Sequence, residues 1–83
     1  MAVDVVTGLT ESEEKEIDQA IKPIFTEHKI STMYQPYYLT FAKTIMKRSK
    51  AEAQIELNTW KSRGLDKNIL IQIASSICNK DLV

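Results

Sequence analysis

The stretch Thr59–Ala74, TWKSRGLDKNILIQIA, reads as the end of one helix, a short turn and the start of a second helix. Gly64 stands where the first helix must stop, because at C′ a glycine takes positive φ with no Cβ to clash. Leu65 follows at C″, where its expected contact is Trp60 at C3. Asp66 then caps the next helix with its side-chain oxygen. Leu65 is also the N′ residue of that helix, and Leu70 at N4 is its staple partner. One leucine thus clamps two helices, and the segment predicts an αα-corner. The competing reading is a DNA-reading helix-turn-helix. That motif wants a small residue four positions before the turn glycine, where this chain has Trp60. It also wants cations and amides free to reach base edges and phosphates. Here only Lys67, Asn68, Gln72, Ser75, Ser76, Asn79 and Lys80 surround a large apolar face. The structural corner is the better reading.

Outward from the corner, the rest of the chain also reads as helical. The last helix, about Lys67 to Asn79, carries Ile69, Leu70, Ile71, Ile73, Ala74, Ile77 and Cys78. That face is too broad for a surface helix, so the helix is expected at the centre of the fold or in a dimer interface. A first helix starts at Thr10, where TESE is a capping box that pairs Thr10 with Glu13. Its apolar stripe is Ile17, Ala20, Ile21, Ile24 and Phe25. Pro23 interrupts it, which predicts a kink or break near Lys22. EHKISTMYQP reads as a loop, and Pro36 fits the first turn of a second helix. Tyr38, Phe41, Ala42 and Ile45 form the core stripe of that helix, flanked by Leu39 and Met46. A second capping box, SKAE at Ser49–Glu52, allows a third helix. One long helix from Pro36 to Arg63 is the alternative, since no Gly or Pro falls inside it. In this third segment Ala53, Leu57 and Trp60 share one face, and Ala51 and Ile55 lie on another, which suggests contacts on two sides. The fold class is therefore all-α: a single domain of three to four helices over residues 10–83, with residues 1–9 as a flexible lead-in.

From Phe41 onward, FAKTIMKRSKAEAQIELNTWKSRGLDKNILIQIASSI resembles part of the DnaD/DnaB-type domain of bacterial and phage replication-initiation proteins. The shared features are an aromatic-led helix, a short turn, a helix ending in Leu57-x-x-Trp60, a glycine turn and an apolar helix. The resemblance covers under half the chain. At steps of four the family carries tyrosine, isoleucine and tryptophan, where this chain has Glu52, Glu56 and Trp60. The resemblance implies DNA association and self-assembly; it assigns no binding residue.

Composition narrows the function classes. Hydrophobic residues are 43% and charged residues 27%, an ordinary balance for a soluble globular domain. No apolar run approaches the ~18–20 residues of a membrane span. The N-terminal residues have neither the basic region nor the long apolar region of a signal peptide. The single Cys78 excludes an internal disulfide and suits a cytoplasmic location. The net charge of zero hides an asymmetry: residues 1–28 sum to −5 and residues 29–67 to +5. Complementary packing of the two segments is one reading. The other is a basic face for phosphates or an acidic partner, formed by Lys43, Lys47, Arg48, Lys50, Lys61 and Arg63.

Catalytic patterns are not evident. His28 reads as a surface or capping residue and Cys78 as a buried structural thiol. One His and one Cys do not make a zinc site from the usual N/S ligands, and two glycines do not make a phosphate loop. No cofactor, metal or membrane partner is expected. MYQPYYLTF crowds Met33, Tyr34, Tyr37, Tyr38 and Phe41 into nine residues. These aromatics either cover the core or form a partner surface, for which Met33, Tyr34, Tyr37 and Tyr38 are the candidates. Beside the basic run Lys43–Lys50 they could also stack bases of a single strand. The expected function is a non-enzymatic protein-interaction domain that self-associates as a homodimer. The alternative is weak, largely sequence-independent nucleic-acid association through the six basic residues.

Overall fold

The computed structural model describes residues 9–83. Among them are four α-helices and no strand segment: α1 (Glu11–Glu27), α2 (Gln35–Ile45), α3 (Lys50–Ser62) and α4 (Lys67–Cys78). The architecture is a small all-α bundle. Helices α2 and α4 form its centre, because each packs against all the others, whereas α1 and α3 flank them without meeting. The breadth of the apolar face of α4 is thereby explained within one chain. Ile69, Leu70, Ile73, Ala74 and Cys78 are buried, and Ile71 and Ile77 pack partly against the same core.

Each helix begins at the residue whose side chain caps it, except α2. The Thr10 hydroxyl accepts the Glu13 N–H at 3.2 Å, and the Glu13 carboxylate accepts the Thr10 N–H at 3.1 Å, which completes the capping box. Ser49 accepts the Glu52 N–H at 3.2 Å. That cap, with the turn over residues 46–49, divides the segment 36–63 into two helices rather than one. Asp66 accepts from Asn68 and Ile69 at 2.8 and 3.3 Å. At the start of α2, Pro36 occupies the first turn and Tyr34 makes no side-chain cap. The preceding loop is held instead by the Gln35 amide, which donates to the Ile30 carbonyl at 3.0 Å.

The corner between α3 and α4 has the full C-terminal hydrogen-bond pattern. The Gly64 N–H donates to the Lys61 carbonyl at 3.0 Å and the Leu65 N–H to the Trp60 carbonyl at 3.2 Å. Gly64 has φ +105°, and open space surrounds the position a Cβ would take. A Gly64→Ala substitution therefore meets no steric neighbour, and its cost comes from the backbone alone. Urea denaturation should show a loss of roughly 1 kcal/mol or more. A neutral result would mean that the turn relaxes readily to negative φ.

Three features differ from the sequence expectation. Pro23 does not break α1 at Lys22. The side chains of Gln19 and Pro23 lie on the solvent side, while Ile17, Ile21 and Ile24 bind the helix to the core on both sides of the proline. That burial outweighs one lost backbone bond. Ala20, expected in the apolar stripe, is exposed. On α3, Ala51 and Ile55 are exposed, so the face they share makes no second core contact. The flexible lead-in expected for residues 1–9 lies outside the described residues except at Leu9, whose side chain is fully buried.

The C-terminal residues add a contact that periodicity does not suggest. Leu82 is buried in the core. The side-chain amide of Gln54 pairs at both ends with the backbone of Val83, accepting its N–H at 2.9 Å and donating to its carbonyl. Lys80 donates to the Met46 carbonyl at 3.3 Å across the α2–α3 turn. The tail is thus fastened to the start of α3.

Candidate functional site

The tyrosine segment divides between core and surface. Tyr38 is only 5% exposed and belongs to the core stripe of α2. Its hydroxyl accepts the Asp66 N–H at 2.9 Å, tying the start of α2 to the corner. Tyr38 therefore cannot serve as a partner surface, which corrects that part of the expectation. Met33, Tyr34 and Tyr37 point the other way, at 71%, 45% and 49% exposure.

Tyr34 is the residue before α2 and Tyr37 lies in its first turn, while Trp60 lies in the last turn of α3. The short α2–α3 connection folds the two helices back on each other, which places these ends side by side. The rings form a row. Tyr34 and Tyr37 have centroids 6.5 Å apart at 54°, and Tyr37 and Trp60 are 6.1 Å apart at 45°. The Arg63 guanidinium carbon stands 4.8 Å from the centroid of the Trp60 ring, a cation–π contact. Met33, Tyr34, Tyr37, Trp60, Arg63 and Leu65 together line a depression of about 390 Å³. We refer to it as the aromatic basin. Beneath it, Leu65 is buried and Trp60 half-buried against the core, so the floor is continuous with the core and the rim is exposed.

Sequence reasoning found the tyrosines but assigned Trp60 to the corner and Arg63 to the basic set. The register of the α2–α3 hairpin is the signal that joins them, since Tyr37 and Trp60 lie at comparable distances on either side of the turn.

The six basic residues do not converge. Lys43, Lys47, Arg48 and Lys50 lie around the α2–α3 turn, and Lys61 and Arg63 at the far end of α3. At 1.5 Å per residue the two groups are roughly 18 Å apart along the helix. Within the first group, the Lys47 ammonium is 2.7 Å from Glu13 and Arg48 is 3.4 Å from Glu52. The Lys47 bond, followed by the Thr10 N–H, holds the Glu13 carboxyl below its ordinary range. This pair links the acidic first helix to the basic middle of the chain, so complementary packing accounts for part of the charge asymmetry. The tyrosines and the run Lys43–Lys50 sit at opposite ends of α2 and do not form one surface.

The remaining reactive side chains are held in structural contacts. Cys78 is buried, its thiol 3.6 Å from the Ala42 carbonyl, and burial pushes its pKa up to about 11. Such a thiol is almost wholly protonated near neutrality and is a poor nucleophile. His28 closes α1, and its Nε2 lies 2.7 Å from Gln72 Oε1, while the Gln72 amide donates to Glu27 at 3.3 Å. Gln72 is therefore engaged with α1 rather than free to read a base. Among the described residues no group of three or more His, Cys, Asp or Glu is placed to hold a metal ion. No helix among them is long and apolar enough to cross a membrane.

The described residues form a small four-helix domain that carries the aromatic basin on its surface. No family model, curated protein or solved structure matches the chain.

Proposed function

We propose that this chain is a non-enzymatic interaction domain that docks a segment of protein in the aromatic basin. The observation that carries the reading is the row of Tyr34, Tyr37 and Trp60, edged by Met33 and Arg63. Tyr, Trp, Met and Arg are the types enriched in protein interfaces, and Trp, Tyr and Arg dominate binding energy there. Here they are gathered over a buried floor and partly open to solvent. Homodimerisation through α4 loses its support, because its apolar face is already covered within one chain. This reading assigns self-association to the basin. Sedimentation from micromolar to millimolar concentration tests it: a heavier species that Tyr37→Ala disperses is the expected sign of a basin-mediated dimer. A strict monomer leaves only a different protein as partner.

The second reading is nucleic-acid association, and one observation favours it: Arg63 and Lys61 stand at the same end of α3 as the ring row. The resemblance to replication-initiation domains implies the same activity. The split basic set supports only a weak, salt-sensitive form of it, since few phosphates would be neutralised at once. Fluorescence anisotropy with single- and double-stranded oligonucleotides should show little binding near 150 mM salt. Tight, sequence-selective binding at that salt would replace the protein-docking reading. Binding confined to low salt, and lost in a Lys47/Arg48/Lys50→Ala variant, would favour a nucleic-acid module working away from the basin.

A further inference from the structure

The basin is chemically one-sided. Its polar side chains are the Tyr34 and Tyr37 hydroxyls, the Trp60 indole N–H and the Arg63 guanidinium, and no carboxylate lines it. Indole and guanidinium only donate hydrogen bonds, and a tyrosine hydroxyl donates readily. None of these side chains has a hydrogen-bond partner among the described residues. A well-matched occupant is therefore rich in free acceptors and poor in donors. A helical or strand partner spends its carbonyls on its own ladder. A polyproline II segment does not: its backbone has no internal hydrogen bonds, and proline has no N–H.

The geometry agrees. At centroid separations of 6.5 and 6.1 Å the inclined rings pack against one another, so the row presents one continuous aromatic surface. A polyproline II segment has three residues per turn, so one apolar edge, repeating about every 9.3 Å, can lie along such a surface. Arg63 stands over Trp60 at the end of the row, which disfavours a cationic occupant and favours an acidic one. The inclined rings also leave no stack of parallel faces for successive bases.

We propose that the aromatic basin binds an extended proline-rich segment of another protein, with an acidic residue beside Arg63. This rests on the protein-docking reading and adds the chemical class of the partner. The chain itself has two prolines, Pro23 and Pro36, both inside helices, so a second copy does not supply the segment.

Trp60 is the one tryptophan in the chain, so its fluorescence reports on the basin directly. The probes are an acetylated oligoproline ending in glutamate, the same oligoproline ending in an amide, and a Gly/Ser peptide of equal length ending in glutamate. The expected result is a saturable shift of Trp60 emission with the first, a weaker one with the second and none with the third. Tyr37→Ala should weaken the first by about tenfold or more, with its helical circular dichroism retained. Arg63→Gln should abolish the preference for the glutamate end. Should Tyr37→Ala lose helicity, Tyr34→Ala replaces it, since that ring precedes α2 and is exposed. An unchanged spectrum up to millimolar oligoproline overturns the proposal, as does an equal response to the Gly/Ser peptide. So does stronger binding of an oligothymidylate, which would point to a nucleic acid. If oligoproline fails but Tyr37→Ala disperses a dimer in sedimentation, the proline inference falls and the protein-docking reading stands. If oligoproline binds or a dimer forms and Tyr37→Ala weakens neither, both fall.

Discussion

Phe41→Ala is expected to lower unfolding stability by about 3–5 kcal/mol, the usual loss for a fully buried phenylalanine. Phe41 has no exposed surface and is the largest side chain buried to that degree. It sits on α2, one of the two helices that touch all the others, so a cavity there is felt by every element. A chain of 83 residues has about 4–12 kcal/mol of stability in total, at roughly 0.05–0.15 kcal/mol per residue. The variant should therefore be close to unfolded at ambient temperature, with the urea midpoint shifted far down. The basin should suffer with it. Tyr37 lies one turn before Phe41, and its place in the ring row depends on the rotation of α2. Trp60 emission should move toward that of the unfolded chain before any denaturant is added. A loss under about 1 kcal/mol would mean that neighbouring side chains collapse into the space, and that the centre of the core lies elsewhere.

What was legible in the sequence follows how local its cause is. The Thr10–Glu13 box, the Ser49 cap and the Gly64–Leu65–Asp66 corner each depend on residues within a few positions, and all formed. The core stripe of α2 was legible for the same reason, since a period of 3.6 fixes which side chains share a face. Tyr38 shows where composition misleads. Counting aromatics groups it with Tyr34 and Tyr37, whereas helical phase groups it with Phe41, Ala42 and Ile45. Phase decides burial, so Tyr38 is in the core.

The features that were not legible are set by contacts across the fold. Pro23 remains within a helix because isoleucines on either side of it are held by other elements. Trp60 joins the tyrosines only once α2 and α3 fold back on each other. The Gln54–Val83 pairing spans 29 positions and has no periodic signature. The six cations look like one patch when counted along the chain and become two groups when α3 separates them. Their number was readable; their dispersal was not.

Leu9→Ala should cost about 2–5 kcal/mol, the range for removing a buried leucine side chain. Its position makes this the less obvious of the two large effects. Leu9 precedes the Thr10 cap, outside the first helix, where composition alone suggests a dispensable lead-in. As N′ it would ordinarily pack on N4 of its own helix, but N4 here is Glu14. Its burial comes from the core instead, where it is as fully enclosed as Ile17 and Ile21 are, or more so. Ile55→Ala supplies the control. It removes a comparable side chain from the middle of a helix, yet Ile55 is 64% exposed, so the change should stay within about 0.5 kcal/mol. Urea denaturation of both variants sets burial against position in the chain. If burial governs, Leu9→Ala is the damaging substitution although it lies outside any helix. Equal, small effects would mean that the chain before Thr10 adds little to stability. A large effect at Ile55 would have a different meaning, since the exposed face of α3 would then be covered in solution by a second chain.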